Sequence, residues 1–150
     1  MDVATALWGG IAGAIVMVTV YAGFLGLRLT RLDLLRFEGG LLVQDRSPMI
    51  YIYGAAVQVA LGALLALGYR LVFQQIDSAT FVGWGALLGL AQGALLVLLL
   101  PLLGLVNRNV RAEYEPRPGL AGLGYGRYTP LALLVASMVF GVWVGIFLIP

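Results

Sequence analysis

The chain has 150 residues, 61% of them hydrophobic and 11% charged, with a formal charge of +2. A soluble domain carries about 25% charged residues, so this is the composition of a membrane protein. All nine basic residues are arginine, seven residues are acidic, and cysteine and histidine are absent. Without cysteine there is no disulfide, thiolate metal site, iron-sulfur cluster or c-type haem attachment. Without histidine the commonest metal ligand and the usual near-neutral general base are missing. A charge of +2 with no basic stripe gives no reason to expect a nucleic-acid partner.

A bilayer core of about 30 Å needs about 20 apolar residues of helix, and four segments qualify. The first runs from Val3 to Leu27. It opens on Met1-Asp2 instead of a basic region and is too long for a signal peptide, so it is expected to remain as an anchor. The stretch "LRLTRLDLLRFEGGLLVQDR" then mixes leucines with charges of both signs. It is expected to lie along the headgroups as a short interfacial helix, with Arg28, Arg31 and Arg36 at lipid phosphates; a solvated loop is the competing reading.

The second span runs from Pro48 to about Phe73, the third from Thr80 to Val106 and the fourth from Pro130 to Ile149. Ser47-Pro48 and Thr129-Pro130 each put a hydroxyl at the cap and a proline at the first helical position. Asp77, Ser78 and Thr80 offer caps to the third span. Pro101 should bend that helix near its end without stopping it. Before the fourth span, "RAEYEPRPGLAGLGYGRY" has the prolines and glycines of an irregular loop.

Eight of the nine arginines fall on two connections, residues 28–47 and 107–129, and only Arg70 lies on the other side. The positive-inside rule makes both connections cytoplasmic and leaves both termini outside. Trp8, Tyr69, Phe73, Phe81 and Trp84 are expected at the outer interface, and Tyr51, Tyr53, Tyr125 and Tyr128 at the inner one. A weak parallel repeat pairs Trp8, Gly9 and Gly13 with Trp84, Gly85 and Gly89, each followed by an arginine-bearing connection and a Ser/Thr-Pro start.

Helices in lipid associate through close backbone approach, so small residues four apart mark their contact faces. Gly9 and Gly13 form such a stripe in the first span with Thr5, and Gly54 and Gly62 in the second. Gly85, Gly89 and Gly93 form the third, and Gly141 and Gly145 the fourth with Ser137. The expected fold is therefore all-α, an integral membrane four-helix bundle in one domain, with the third span at its centre. Gln58, Gln92 and Ser137 lie along these stripes and are expected to hydrogen-bond between helices, or alternatively to touch a ligand head group or polar substrate. No ionisable residue falls at mid-membrane in any span. Asp33, Glu38, Asp45, Glu113 and Glu115 all belong to the connections, each close to an arginine.

The runs "GGIAGAIVMVTVYAGFLGL", "LDLLRFEGG", "QVALGALLALGY", "GLAQGALL" and "SMVFGVWVG" resemble, in their order, a group of small, uncharacterised bacterial four-span membrane proteins. The resemblance implies a bundle and supplies no activity. It also implies histidines in relatives where this chain has Gln58, Gln92 and Ser137, and so a metal or haem site absent or altered here.

No phosphate loop, nucleophile elbow or metal-ligand spacing is present, so neither catalytic nor metal-binding residues are expected. The function expected from the sequence is a non-catalytic accessory subunit of a larger bacterial inner-membrane complex serving respiratory or photosynthetic electron transport. Its expected partners are other membrane subunits and phospholipid, with bound lipid in place of a cofactor. The alternatives are a homo-oligomeric transporter or channel built around Gln58 and Gln92, and a quinone- or pigment-binding protein.

Overall fold

A computed structural model describes residues 2–149. The described residues form helices α1 (Val3–Gly26), α2 (Leu34–Leu42), α3 (Met49–Phe73), α4 (Phe81–Val106), α5 (Arg108–Arg111) and α6 (Thr129–Phe147), with 3-10 turns at Ser78–Thr80 and Leu120–Tyr125. Strands are absent among them. α1, α3, α4 and α6 are long and apolar enough to cross a bilayer, and they pack together as an all-α four-helix bundle of a multi-pass membrane protein. The start of α1, the end of α6 and the short α3–α4 connection share one end of it, here the turn end. Residues 27–48 and 107–128 make the other, the loop end.

The helices pack in the order α3, α1, α6, α4, so α1 and α6 form the middle pair. α4 does not sit at the centre. Its glycine stripe is used by one neighbour: a Cβ on Gly85 would strike the Gly141 carbonyl, one on Gly89 the Ser137 carbonyl, and one on Gly93 would come within 3.0 Å of Leu134 Cα. Gly141 and Gly145 answer from α6 against the Gly85 and Phe81 carbonyls. α1 is used on two faces. Gly9 and Gly13 meet the Phe147 and Phe140 rings of α6, while Gly10 opposes the Gly62 carbonyl of α3. The close approach of Gly85 to Gly141 is matched between α1 and α3 by Gly10 against Gly62, one position away from the Gly9 that the sequence pairs with Gly85.

α3 and α4 approach each other near the turn end. Phe73 and Phe81 stack at 4.6 Å, and Tyr69 meets Phe73 and Phe140 edge-on. Tyr69, Phe73 and Phe81 are buried, so they weld the α3–α4 hairpin instead of forming an interfacial belt; Trp8 and Trp84 stay exposed. α4 continues through Pro101 to Val106.

One helix start differs from expectation. Thr129 caps nothing; its hydroxyl shares a 2.8 Å hydrogen bond with Thr30, which also bonds Tyr21. α3 starts as expected: the Ser47 hydroxyl accepts from the Met49 amide at 3.3 Å, just past Pro48, and donates to Asp45 at 2.7 Å.

The largest departure is α2. Asp33 caps it by accepting from the Arg36 amide at 3.2 Å. Leu34, Phe37, Glu38, Gly39 and Gly40 are then all buried, because α2 packs inward against α3. Glycine makes this approach possible: Gly39 abuts the Ile50 carbonyl, Gly54 the Leu35 carbonyl, and Gly40 the Asn107 side chain. α2 packs on α3 and α5, with the Phe37 ring edge-on to Tyr125 at 6.2 Å.

Candidate functional site

The two arginine-bearing connections interlock. Asn107, fully buried, accepts from the Asn109 and Val110 amides at 3.0 and 3.1 Å and donates to the Phe37 carbonyl at 2.7 Å. One side chain therefore caps α5 and ties it to α2. Asn109 holds Asp45 by both backbone groups, its Nδ2 donating to the carbonyl and its Oδ1 accepting from the amide. Arg36 forms an ion pair with Glu115, and Arg31 donates to the Gly124 carbonyl. Tyr125 donates to the Pro116 carbonyl at 2.7 Å, and burial pushes its phenol above its ordinary range. Neither asparagine stood out in the sequence, where Asn-Arg-Asn after an apolar run reads as a turn.

Inside this layer lies a carboxyl. Glu38 is 7% exposed, and burial alone raises it from the ordinary carboxylate range to about 8. Its contact is Gln58. With the amide nitrogen turned toward Glu38, the two carboxyl oxygens lie at 2.6 and 3.0 Å. Turned the other way, that nitrogen faces Met17 Sδ at 3.6 Å. Gln58 comes nine residues after the first residue of α3, about 14 Å along the helix axis at 1.5 Å per residue. α2 thus carries a carboxyl into the bundle although none of the four spans contains an acidic residue. The pair Phe37-Glu38 followed by Gly39-Gly40 was the available signal.

Beside Gln58 is a cleft of about 180 Å³ between α1, α2 and α3, lined by Ala14, Val18, Thr19, Leu35, Ala55 and Gln58 among others. Its rim at Ile15 and Ala55 is exposed on the outer surface of the bundle, the side that meets lipid. The Thr19 hydroxyl donates its proton to the Ile15 carbonyl at 2.8 Å, so Gln58 is the side-chain donor left among the lining residues named.

The other intramembrane polar residues are placed apart from it. Gln92 accepts from the Tyr69 hydroxyl at 2.9 Å, joining α4 to α3. Ser137 is fully buried in the α4–α6 seam, and its hydroxyl has no hydrogen-bond partner among the described residues. Gln58, Gln92 and Ser137 therefore share no hydrogen bond with one another among the described residues. Of the three arginines expected at headgroups, Arg28 and Arg31 are exposed at the loop end, whereas Arg36 is turned to Glu115. Groups of three or more acidic residues able to hold a metal ion are absent among the described residues.

No family model matches the chain, and neither a curated protein nor a solved structure is significantly similar to it. The function therefore has to be argued from this geometry alone.

Proposed function

We propose that the chain is a non-catalytic accessory subunit of a larger membrane assembly, of the kind that serves electron transport in a bacterial cytoplasmic membrane. In this reading the loop end faces the cytoplasm and both termini lie outside. The supporting observation is how charge divides at the loop end. The acids are largely turned to internal tasks: Asp33 caps α2 and accepts from Tyr51, Glu38 is buried, Asp45 accepts from Ser47, and Glu115 pairs with Arg36. Arg28, Arg31, Arg46, Arg108, Arg111, Arg117 and Arg127 remain exposed.

A pre-paired layer with its arginines outward fits an anionic surface, made of phospholipid headgroups and the acidic edge of a neighbouring subunit. Each arginine near an anionic leaflet contributes about 1 kcal/mol of attraction. Arg46 over the Tyr114 ring at 3.7 Å and Arg127 over Tyr128 at 4.6 Å are held at this face by their aromatic partners. Among the described residues, those outside the four long helices form the short helices, turns and connections that tie the bundle together. Catalysis is assigned to the partner and bracing to this chain.

Native mass spectrometry after gentle extraction from its own membrane tests the reading. The expected species is the 16.0 kDa chain bound to a larger membrane protein, with phospholipid retained. Recovery of the chain alone, under conditions that keep other membrane complexes whole, would contradict it.

A further inference from the structure

We propose that the cleft between α1, α2 and α3 binds the head of a neutral, oxygen-bearing amphiphile through the Gln58 amide, and that the proton on Glu38 sets whether this amide donates or accepts. The inference goes beyond a bracing role, because it concerns a ligand site within the chain itself.

The Gln58 side chain has two ends, and Glu38 takes one. An ionised Glu38 accepts from the amide nitrogen, with both carboxyl oxygens in reach at 2.6 and 3.0 Å. The amide oxygen then faces Met17, beside the cleft that Gln58 lines. A protonated Glu38 instead donates its O–H to the amide oxygen, for which 2.6 Å is an ordinary O–H···O distance. The amide nitrogen now faces Met17 Sδ at 3.6 Å. A thioether is a weak acceptor, so in this state the buried N–H lacks a good partner within the protein. A ligand carbonyl entering the cleft would supply one.

The surroundings narrow the ligand. No arginine lines the cleft, so an anionic head would be buried without a counter-ion. Nor does Glu38 line it, which leaves a cationic head without direct contact. The head is therefore neutral. An apolar cavity of about 150 Å³ accommodates a benzene ring, so the cleft has room for one small head while a chain runs out past Ile15 and Ala55.

The charged and titratable groups around Glu38 are engaged elsewhere or exposed. On α2 itself, Asp33 bonds Tyr51 and Arg36 pairs with Glu115. On α5, Arg108 and Arg111 are exposed, as is Tyr53 on α3. On α1, Tyr21 bonds Thr30.

An isosteric pair of probes, 2-tridecanone and 2-tridecanol, separates the two states. A ketone only accepts, whereas an alcohol both donates and accepts. Binding is measured by calorimetry to the full chain in nanodiscs, well below and well above the Glu38 titration. The ketone is expected to bind on the order of tenfold more weakly at the alkaline pH, the worth of one hydrogen bond, while the alcohol changes little.

Glu38→Gln should remove the pH dependence. Gln58→Leu should weaken the ketone at acid pH by a similar factor. Ala55→Phe, which fills the cleft from its exposed rim, should abolish binding of both probes and keeps the test decisive if either buried variant fails to fold. Equal ketone affinity at the two pH values in the unaltered chain would overturn the proposal, as would ketone binding that survives Ala55→Phe.

Discussion

Asn109 grips Asp45 by the backbone, its Nδ2 donating to the carbonyl at 3.0 Å and its Oδ1 accepting from the amide at 3.1 Å. An amide side chain here stands in for a strand partner, and it joins connections that lie 64 residues apart in sequence. Asn109→Leu leaves both backbone groups unpaired in a partly buried place and should cost about 1–3 kcal/mol. Thermal unfolding of the detergent-solubilised chain reads the loss. Asn109→Asp should recover part of it at most, since a carboxylate still accepts but no longer donates.

The α4–α6 seam gives an internally controlled prediction. A Cβ at Gly85 would strike the Gly141 carbonyl, whereas one at Gly83 meets nothing within 4 Å. Gly85→Ala should therefore destabilise by about 1–3 kcal/mol through overpacking. Gly83→Ala, two positions earlier on the same helix, should be neutral or stabilising by up to about 1 kcal/mol from helix propensity. Unfolding in a graded series of harsher detergents ranks the two variants. Equal behaviour would mean that the helices sit farther apart than described.

Among the polar residues inside the bundle, Gln92 and Ser137 should respond oppositely to removal. Tyr69→Phe deletes the hydroxyl that donates to Gln92 and should cost about 0.6 kcal/mol, a typical worth for an interhelical hydrogen bond in a membrane. Ser137→Ala deletes a buried hydroxyl without a partner among the described residues, so it should be neutral or slightly stabilising. The same unfolding assay measures both.

Stability should also depend on pH through Glu38. Its carboxyl is raised from 4.5 to about 8 by burial, so between these values the folded chain holds a proton that the unfolded chain has released. Stability from this group is therefore full below about 4.5 and declines as pH rises through about 8. Unfolding measured across this window should show that decline, and Glu38→Gln should flatten it.

The four spans were legible because length and apolarity alone identify them, and the glycine stripes because close backbone approach requires small residues at helical spacing. Centrality was not legible. The three glycines of α4 record how close one neighbour comes, which says nothing of how many neighbours there are. Gly10 was passed over for Gly9, although the adjacent pair gives α1 one small face toward α6 and another toward α3.

The burial of Glu38 in α2 was not legible for a different reason. Asp33, Arg36 and Glu38 look like a surface when charge is taken position by position. Arg36 nevertheless finds Glu115 across the loop end, and Glu38 finds Gln58. Both partners lie far away in sequence, and no local pattern announces them. The same holds for Thr129, whose expected cap is given up for a bond to Thr30, 99 positions away.

All of this depends on the segment after α1 being part of the bundle, with Glu38 shut in against Gln58. Infrared difference spectroscopy of the full chain in lipid, following the carboxylic acid C=O band against pH, tests that most directly. The structure predicts one carboxyl that stays protonated through neutrality, titrates near 8 and disappears in Glu38→Gln. A chain in which every carboxyl has ionised by pH 6 would contradict it.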